Sequence, residues 1–180
     1  MENQEVQNNS THSIKWGVIL GVVGIIFTLS LYLVDITLLT QSWVGIVSII
    51  ISIALVFYAS IDYRKQLGGF MTFGQAFLHC FVVLAISGLI GVIFQYLLFN
   101  VIDPDAAKVM AEAQMEATMQ AMEAFGGANA EMMDDMEAQM ANQYSIGTMA
   151  MGYGFLLIVY AIFAAIVGAI TKKKNKELDF

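Results

Sequence analysis

Four stretches of this chain, roughly 16–34, 43–61, 73–99 and 147–170, contain no Asp, Glu, Lys or Arg. No other feature of the sequence restricts the fold as tightly. The hydrocarbon core of a bilayer is about 30 Å thick and takes about 20 apolar residues to cross as a helix. Helices satisfy their own backbone polar groups, which is what a lipid interior demands. Each window is long enough. Only 13% of the 180 residues are charged, against about a quarter in a soluble domain, and that is too little to cover a water-facing surface. The expected fold class is therefore an all-α membrane protein with four transmembrane helices. Trp16 and Trp43 stand at window starts and Tyr32, Tyr58, Tyr63 and Tyr96 near window ends, where an aromatic belt places them. The first window reads as a retained span. Its leader has two Glu and one Lys, and the apolar run ends in Leu-Tyr-Leu-Val-Asp35 without the small residues of a cleavage site.

The basic residues predict an orientation. Lys15 precedes the first window, Arg64 and Lys65 separate the second from the third, and Lys172, Lys173, Lys174 and Lys176 follow the fourth. Seven of the eight Lys and Arg thus fall on one side, and only Lys108 on the other. The positive-inside rule puts the 1–15 tail, the 62–72 loop and the basic 171–180 tail in the cytoplasm. Segment 100–146 then lies outside, with most of the acidic residues. Arg64, Lys65, Lys172, Lys173 and Lys174 form the expected contact with anionic lipid head groups.

The 100–146 segment carries helical patterning. Asp103-Pro104 is an N-cap followed by proline at the first helical position. Met115, Met119 and Met122 recur on one stripe beside an acidic face of Asp105, Glu112, Glu116 and Glu123. Gly126-Gly127-Ala128-Asn129 breaks the pattern, and Met133, Met136 and Met140 resume it. The expectation is an acidic, extracytoplasmic helical hairpin between the third and fourth membrane helices, over roughly 104–125 and 130–146. Thioether sulfur is a soft ligand that selects Cu(I), so Met115, Met119, Met122, Met133, Met136 and Met140 are candidate metal ligands. Methionine is also a common filler of helical interfaces, and no outer His or Cys reinforces a site. Cys80 is the chain's one cysteine, which rules out an intramolecular disulfide framework.

The stretch "GFMTFGQA", residues 69–76, has the glycine spacing of a phosphate-binding loop. Such a loop continues with Lys and Ser or Thr, which neutralise phosphate and hold Mg²⁺. Here Gln75-Ala76 follow, both groups are missing, and no nucleotide or nucleic-acid partner is expected. The residues instead fit a membrane-entry signal. Gly68 and Gly69 supply a turn, Thr72 and Gln75 make a capping box around Gly74, and Met71 can staple against Ala76. Within the windows, His79 is read as a neutral packing histidine bonded to Gln75 or to another span, and Gln95 as interhelical glue. Pairs such as Gly17/Gly21, Ser48/Ser52, Ser87/Gly91 and Ala164/Gly168 permit close helix approach, in a compact bundle or a homo-oligomer.

Tyr63-Arg64, then Gly68-Gly69-x-x-x-Phe73-Gly74-Gln75-Ala76-Phe77, then Tyr96 and Asp103-Pro104, together resemble the bacterial membrane family catalogued as domain of unknown function 4199. The resemblance implies a small multi-pass protein of a bacterial inner membrane and brings no activity, cofactor or catalytic residue with it. The expected role is non-enzymatic, as a structural, oligomeric or accessory component acting with lipid or another membrane protein. Copper handling by the methionines, or a small transporter or channel dependent on His79 or Gln95, are the rival expectations.

Overall fold

The structure is a computed structural model that describes residues 2–124, 136, 138–140 and 142–173. Helix α1 (Glu2–Val34) leads through a 3₁₀ turn (Ile36–Thr40) into α2 (Ser42–Gln66). A glycine turn joins α2 to α3 (Phe73–Leu97), which runs on through a π turn (Leu98–Ile102) to α4 (Pro104–Ala124). The last helix, α5, is Ile146–Thr171. Four segments are long and apolar enough to cross a membrane: Ser10–Val34, Ser42–Gln66, Phe73–Ile102 and Ile146–Thr171. The chain is an all-α, multi-pass membrane protein. The second arm of the hairpin read in the sequence falls largely outside the described residues.

The first helix begins well before Trp16. Residues 2–15 are helical rather than a separate tail, and His12 and Ser13 are buried. The reason is tertiary, since polar groups on α2 and α3 meet this extension, as described below.

Helix α3 is the hub, because backbones approach it closely from two sides. A methyl group on Gly17 of α1 would stand 2.8 Å from Ile86 Cβ, and one on Gly21 would stand 3.0 Å from Ile90. On the opposite flank, one on Gly168 of α5 would meet the Phe77 nitrogen at 3.0 Å. Helices in lipid gain no hydrophobic effect from meeting each other, so close van der Waals contact over small residues holds such pairs together. The main core follows from this arrangement: Leu20, Val56, Cys80, Val83, Leu84, Ala164 and Val167 are buried, with Trp16, Phe77, Phe81 and Phe163 packed against them.

Helix α2 behaves differently along its length. Val56, Ala59, Ser60 and Tyr63 are buried in its second half, whereas in the first half only Val44 is. The bundle is thus tight at the end that carries the α2–α3 turn and the start of α1, and open toward the α4 end. At the tight end Gly68 and Gly69 take φ of +79° and +91°, a region where a side chain is strained. Thr72 then caps α3: its hydroxyl accepts from the Gln75 amide at 3.3 Å, and Gln75 Oε1 accepts from the Thr72 amide at 2.9 Å. Met71, Ala76 and Tyr63 share a small buried cluster beneath this cap. The same turn pairs with the far end of the chain, since Met71 and Lys173 exchange both backbone hydrogen bonds, at 2.9 and 2.8 Å.

At the other end α4 sits on the bundle through a second core of Leu98, Phe99, Ala106 and Met110, joined by Tyr32, Leu39 and Tyr144. Asp103 fixes the entry angle. One carboxylate oxygen accepts from the Ala106 amide at 3.0 Å and the other from the Tyr32 hydroxyl at 2.7 Å. The Phe99 and Tyr144 rings stack at 4.1 Å, and burial pushes the Tyr144 phenol up to about 12.

Candidate functional site

Two polar regions lie within the membrane-length helices, and they are built in opposite ways. The first is a packed cluster at the tight end. His12, Ser13 and Trp16 come from α1, Asp62 and Tyr63 from α2, and His79 from α3. The His12 Nε2 and Asp62 Oδ2 atoms are 3.0 Å apart. The Trp16 indole N–H donates to both of them, at 3.2 and 3.3 Å. Ser13 Oγ and His79 Nδ1 are 2.7 Å apart. The Tyr63 ring stacks on His79 at 4.4 Å and on His12 at 5.4 Å, and the two imidazoles are 5.2 Å from each other. His79 is 2% exposed and His12 7%, whereas 41% of the Asp62 side chain is open to solvent or head groups. Ionisable groups at such depth are rare and mark functional positions by default.

His79 bonds across to α1 and not to Gln75, because Gln75 Oε1 is committed to the Thr72 cap one turn earlier. Asp62, read in the sequence as lying just past the second span, is inside α2 and lies 3.0 Å from His12 Nε2. The sequence could not announce this cluster, since its partners are separated by 50 and 66 residues. A hint was present in His12, Trp16 and Asp62 lying near the ends of apolar windows, where polar groups can pair without entering the hydrocarbon centre.

The second region is an open cleft in the α4 half. Cavities of about 350 and 530 Å³ share Phe27, Thr28, Ser48, Val92, Gln95 and Leu156, and so lie side by side between α1, α2, α3 and α5. Met110 and Gln114 of α4, with Tyr144 and Thr148, line the upper part of the cleft. Among the described residues the cleft wall is mostly apolar, with hydroxyls, amides and glycines set in it and no charged residue. Ser48 and Ser52 spend their protons on carbonyls one turn back, Val44 and Ser48 respectively, both at 2.8 Å. Their oxygens still face the cleft wall as acceptors.

The cleft glycines are of two kinds, since Gly21 and Gly88 also line it but an added methyl group there would meet Ile90 at 3.0 Å and Tyr160 at 2.7 Å. A methyl group on Gly24, Gly45, Gly91 or Gly152 would meet nothing within 4 Å, and all four line the cleft. Glycine inside a helix costs roughly 1 kcal/mol relative to alanine. At these positions no contact within the chain offsets that cost.

The methionine set is only partly placed. Met115, Met119 and Met122 lie half-buried along α4, Met136 and Met140 are half-buried beyond it, and Met133 lies outside the described residues. Among the described residues no group of three or more His, Cys, Asp or Glu could hold a metal ion. Of the basic residues, Arg64 donates to the Thr171 carbonyl at 3.2 Å. Lys65 and the Lys172 and Lys173 pair sit at the tight end, where Lys172 lies over the Phe73 ring at 5.9 Å and Lys173 over the Phe70 ring at 5.7 Å. Lys174 lies outside the described residues.

Residues 15–173 match the model of the family described as "Protein of unknown function (DUF4199)". Neither the curated proteins nor the solved structures gave a match.

Proposed function

The chain belongs to the DUF4199 family, and we propose that it binds a small uncharged, polar or amphipathic solute in the cleft between α1, α2, α3 and α5, as a small non-enzymatic carrier of the bacterial inner membrane. The observation that carries this reading is the set of four glycines lining a mostly apolar cleft that carries hydroxyls and an amide, with open space where each side chain would be. Glycines left uncompensated by the chain's own packing leave room for an occupant that comes close to the backbone. The cavity volumes fall in the range of small-molecule sites, about 300–1,000 Å³. The uncharged wall favours a solute without net charge, because an isolated ion in a low-dielectric cleft would be left unpaired.

The orientation belongs to the same proposal. Lys15, Arg64, Lys65, Lys172 and Lys173 lie toward the tight end, so the positive-inside rule turns that end to the cytoplasm and opens the cleft outward. The four glycines also favour a second reading, in which a helix of a second copy fills the space.

One experiment separates these possibilities. Ser48→Cys, in a Cys80→Ser background, is treated in intact cells with a membrane-impermeant thiol reagent. Ile46→Cys on the lipid-facing side serves as control, since Ile46 is 58% exposed on the outside of α2. The expected result is labelling of Ser48→Cys from outside at least about tenfold faster than the control. Labelling only after the membrane is opened would reverse the orientation. A Ser48→Cys that crosslinks between copies and resists the reagent would favour the second copy over a solute. Equal, slow labelling at both positions would end the water-filled cleft and the carrier reading with it.

A further inference from the structure

We infer that His12, Asp62 and His79 form a proton-binding site between α1, α2 and α3, filled from the exposed edge of Asp62 and holding one proton at a time. The site uses none of the cleft residues and does not depend on the cleft being occupied.

The inference starts from what each ring leaves undone. His12 Nδ1 and His79 Nε2 are buried and have no hydrogen-bond partner. A neutral imidazole carries one N–H and one lone pair; each ring here has one nitrogen engaged and one without a well-formed hydrogen bond, the Ala59 backbone lying near His79. Buried polar atoms without partners are uncommon and need an explanation. An apolar bundle would fill these positions more cheaply with Leu or Phe.

His12 also sits in a geometry with two proton arrangements. When Nε2 carries the proton it donates to Asp62, and Trp16 donates to the same carboxylate. When Nε2 is bare it accepts from Trp16, and the proton is on Nδ1. Both arrangements use the observed distances of 3.0, 3.2 and 3.3 Å. In the second, the bare Nε2 offers its lone pair beside the part-exposed Asp62 carboxylate. A proton from hydronium then makes an N–H bond there, water leaves, and the imidazolium is balanced by the Asp62 carboxylate.

The neighbouring groups set the count at one. Asp62 is the only carboxylate among the described side chains in contact with the rings, and Lys65 acts on it from the next turn of α2. Helix α3 contributes His79 and the Cys80 thiol, which is 3.1 Å from the Ser60 hydroxyl. Helix α5 approaches this end with Thr171, whose carbonyl is taken by Arg64. Two imidazolium rings 5.2 Å apart would repel each other with one carboxylate between them. Tyr63 stacks on both rings, so a charge on either is felt by the other across a shared aromatic face.

The route inward is graded. Asp62 is part-exposed, His12 is nearly closed, and His79 is closed with Ser13 behind it. Beyond His79 the core of Leu20, Val83, Leu84 and Val167 begins. Eight residues of α3, or about 12 Å of helix rise, separate His79 from Ser87 in the cleft wall. A proton reaching His79 therefore stays on the tight side of an apolar plug.

The test uses the full chain, freed of any histidine tag, in lipid nanodiscs. It has two histidines, so ring ¹⁵N spectra contain two imidazoles, assigned with His12→Gln and His79→Gln. The expected result is one protonation step between about pH 5 and 8, the range histidine normally serves, that shifts both rings together. Asp62→Asn should weaken proton binding by tenfold or more. Separate titration of the two rings, or no titration of either, would overturn the site whatever the variants do. Trp16 emission in a Trp43→Phe background provides a second readout in an otherwise native site. It should follow the same step, and emission flat across the range in which the rings titrate would equally sink the proposal.

Discussion

Glycine means opposite things at different positions of this bundle. Gly17 and Gly168 toward the tight end, and Gly21 and Gly88 in the cleft wall, stand where neighbouring atoms already occupy the space a side chain would need. In the α4 half Gly24, Gly45, Gly91 and Gly152 stand beside empty space. The polar groups divide between the two halves. Histidines, an aspartate and a tryptophan interlock at the tight end, while hydroxyls and the Gln95 amide line an open wall in the other half. The first half spends its small residues on helix contact within the chain. The second also holds small residues that no described part of the chain packs against.

The largest expected effect comes from filling the tight half. Gly17→Ala should destabilise the bundle by roughly 1–3 kcal/mol, the usual cost of overpacking, because the new methyl stands 2.8 Å from Ile86 Cβ. Loss of helical circular dichroism along an SDS titration measures it, and a midpoint equal to the parent's would remove the case for close approach. The same change in the open half should act in reverse. Gly91→Ala should stabilise by about 0.5–1 kcal/mol through helix propensity alone. If it lowers the midpoint as Gly17→Ala does, the two kinds of glycine are not different and the cleft is filled by packing in the membrane.

The smallest effect is local and pH-dependent. The Tyr32 hydroxyl and the Ala106 amide hold the Asp103 carboxyl below its usual range. Its contribution is therefore fully present above the ordinary carboxylate pKa of about 3.9. It is lost as pH falls through the lower folded value. Acidification below about pH 4 should expose the first turn of α4, read as faster exchange of the Ala106 amide, with the rest of the bundle unaffected. Asp103→Asn should remove this pH dependence. An Ala106 amide protected equally on both sides of that pH in the parent would show that other contacts hold the helix.

What could be read from the sequence follows the distance between partners. Membrane-length helices need only a local count of apolar residues. The Thr72 and Gln75 cap needs residues three apart, and Asp103 with Ala106 likewise. The meaning of a glycine cannot be read this way. Gly21 and Gly24 lie on adjacent turns of one helix, and only the position of Ile90, 69 residues beyond Gly21, makes one a contact and the other a gap. The same limit hid the histidine cluster, because His12, Asp62 and His79 belong to three windows that each look complete alone. The methionines of segment 100–146 were conspicuous for the opposite reason. Their i, i+4, i+7 spacing is a strong local signal, but periodicity says which face is shared and not what that face meets.

The backbone pairing of Met71 with Lys173 has a bearing on how the molecule is made. Chain growth delivers the α2–α3 turn about a hundred residues before its partner, so through most of synthesis the Met71 amide and carbonyl have only water or lipid head groups to bond. The pair can close only after the fourth span has been inserted and its C-terminal end has emerged on the same side as the turn. The two hydrogen bonds thus act as a completion latch. A chain with the wrong number of crossings would leave Lys173 on the opposite face of the membrane, and the latch would stay open.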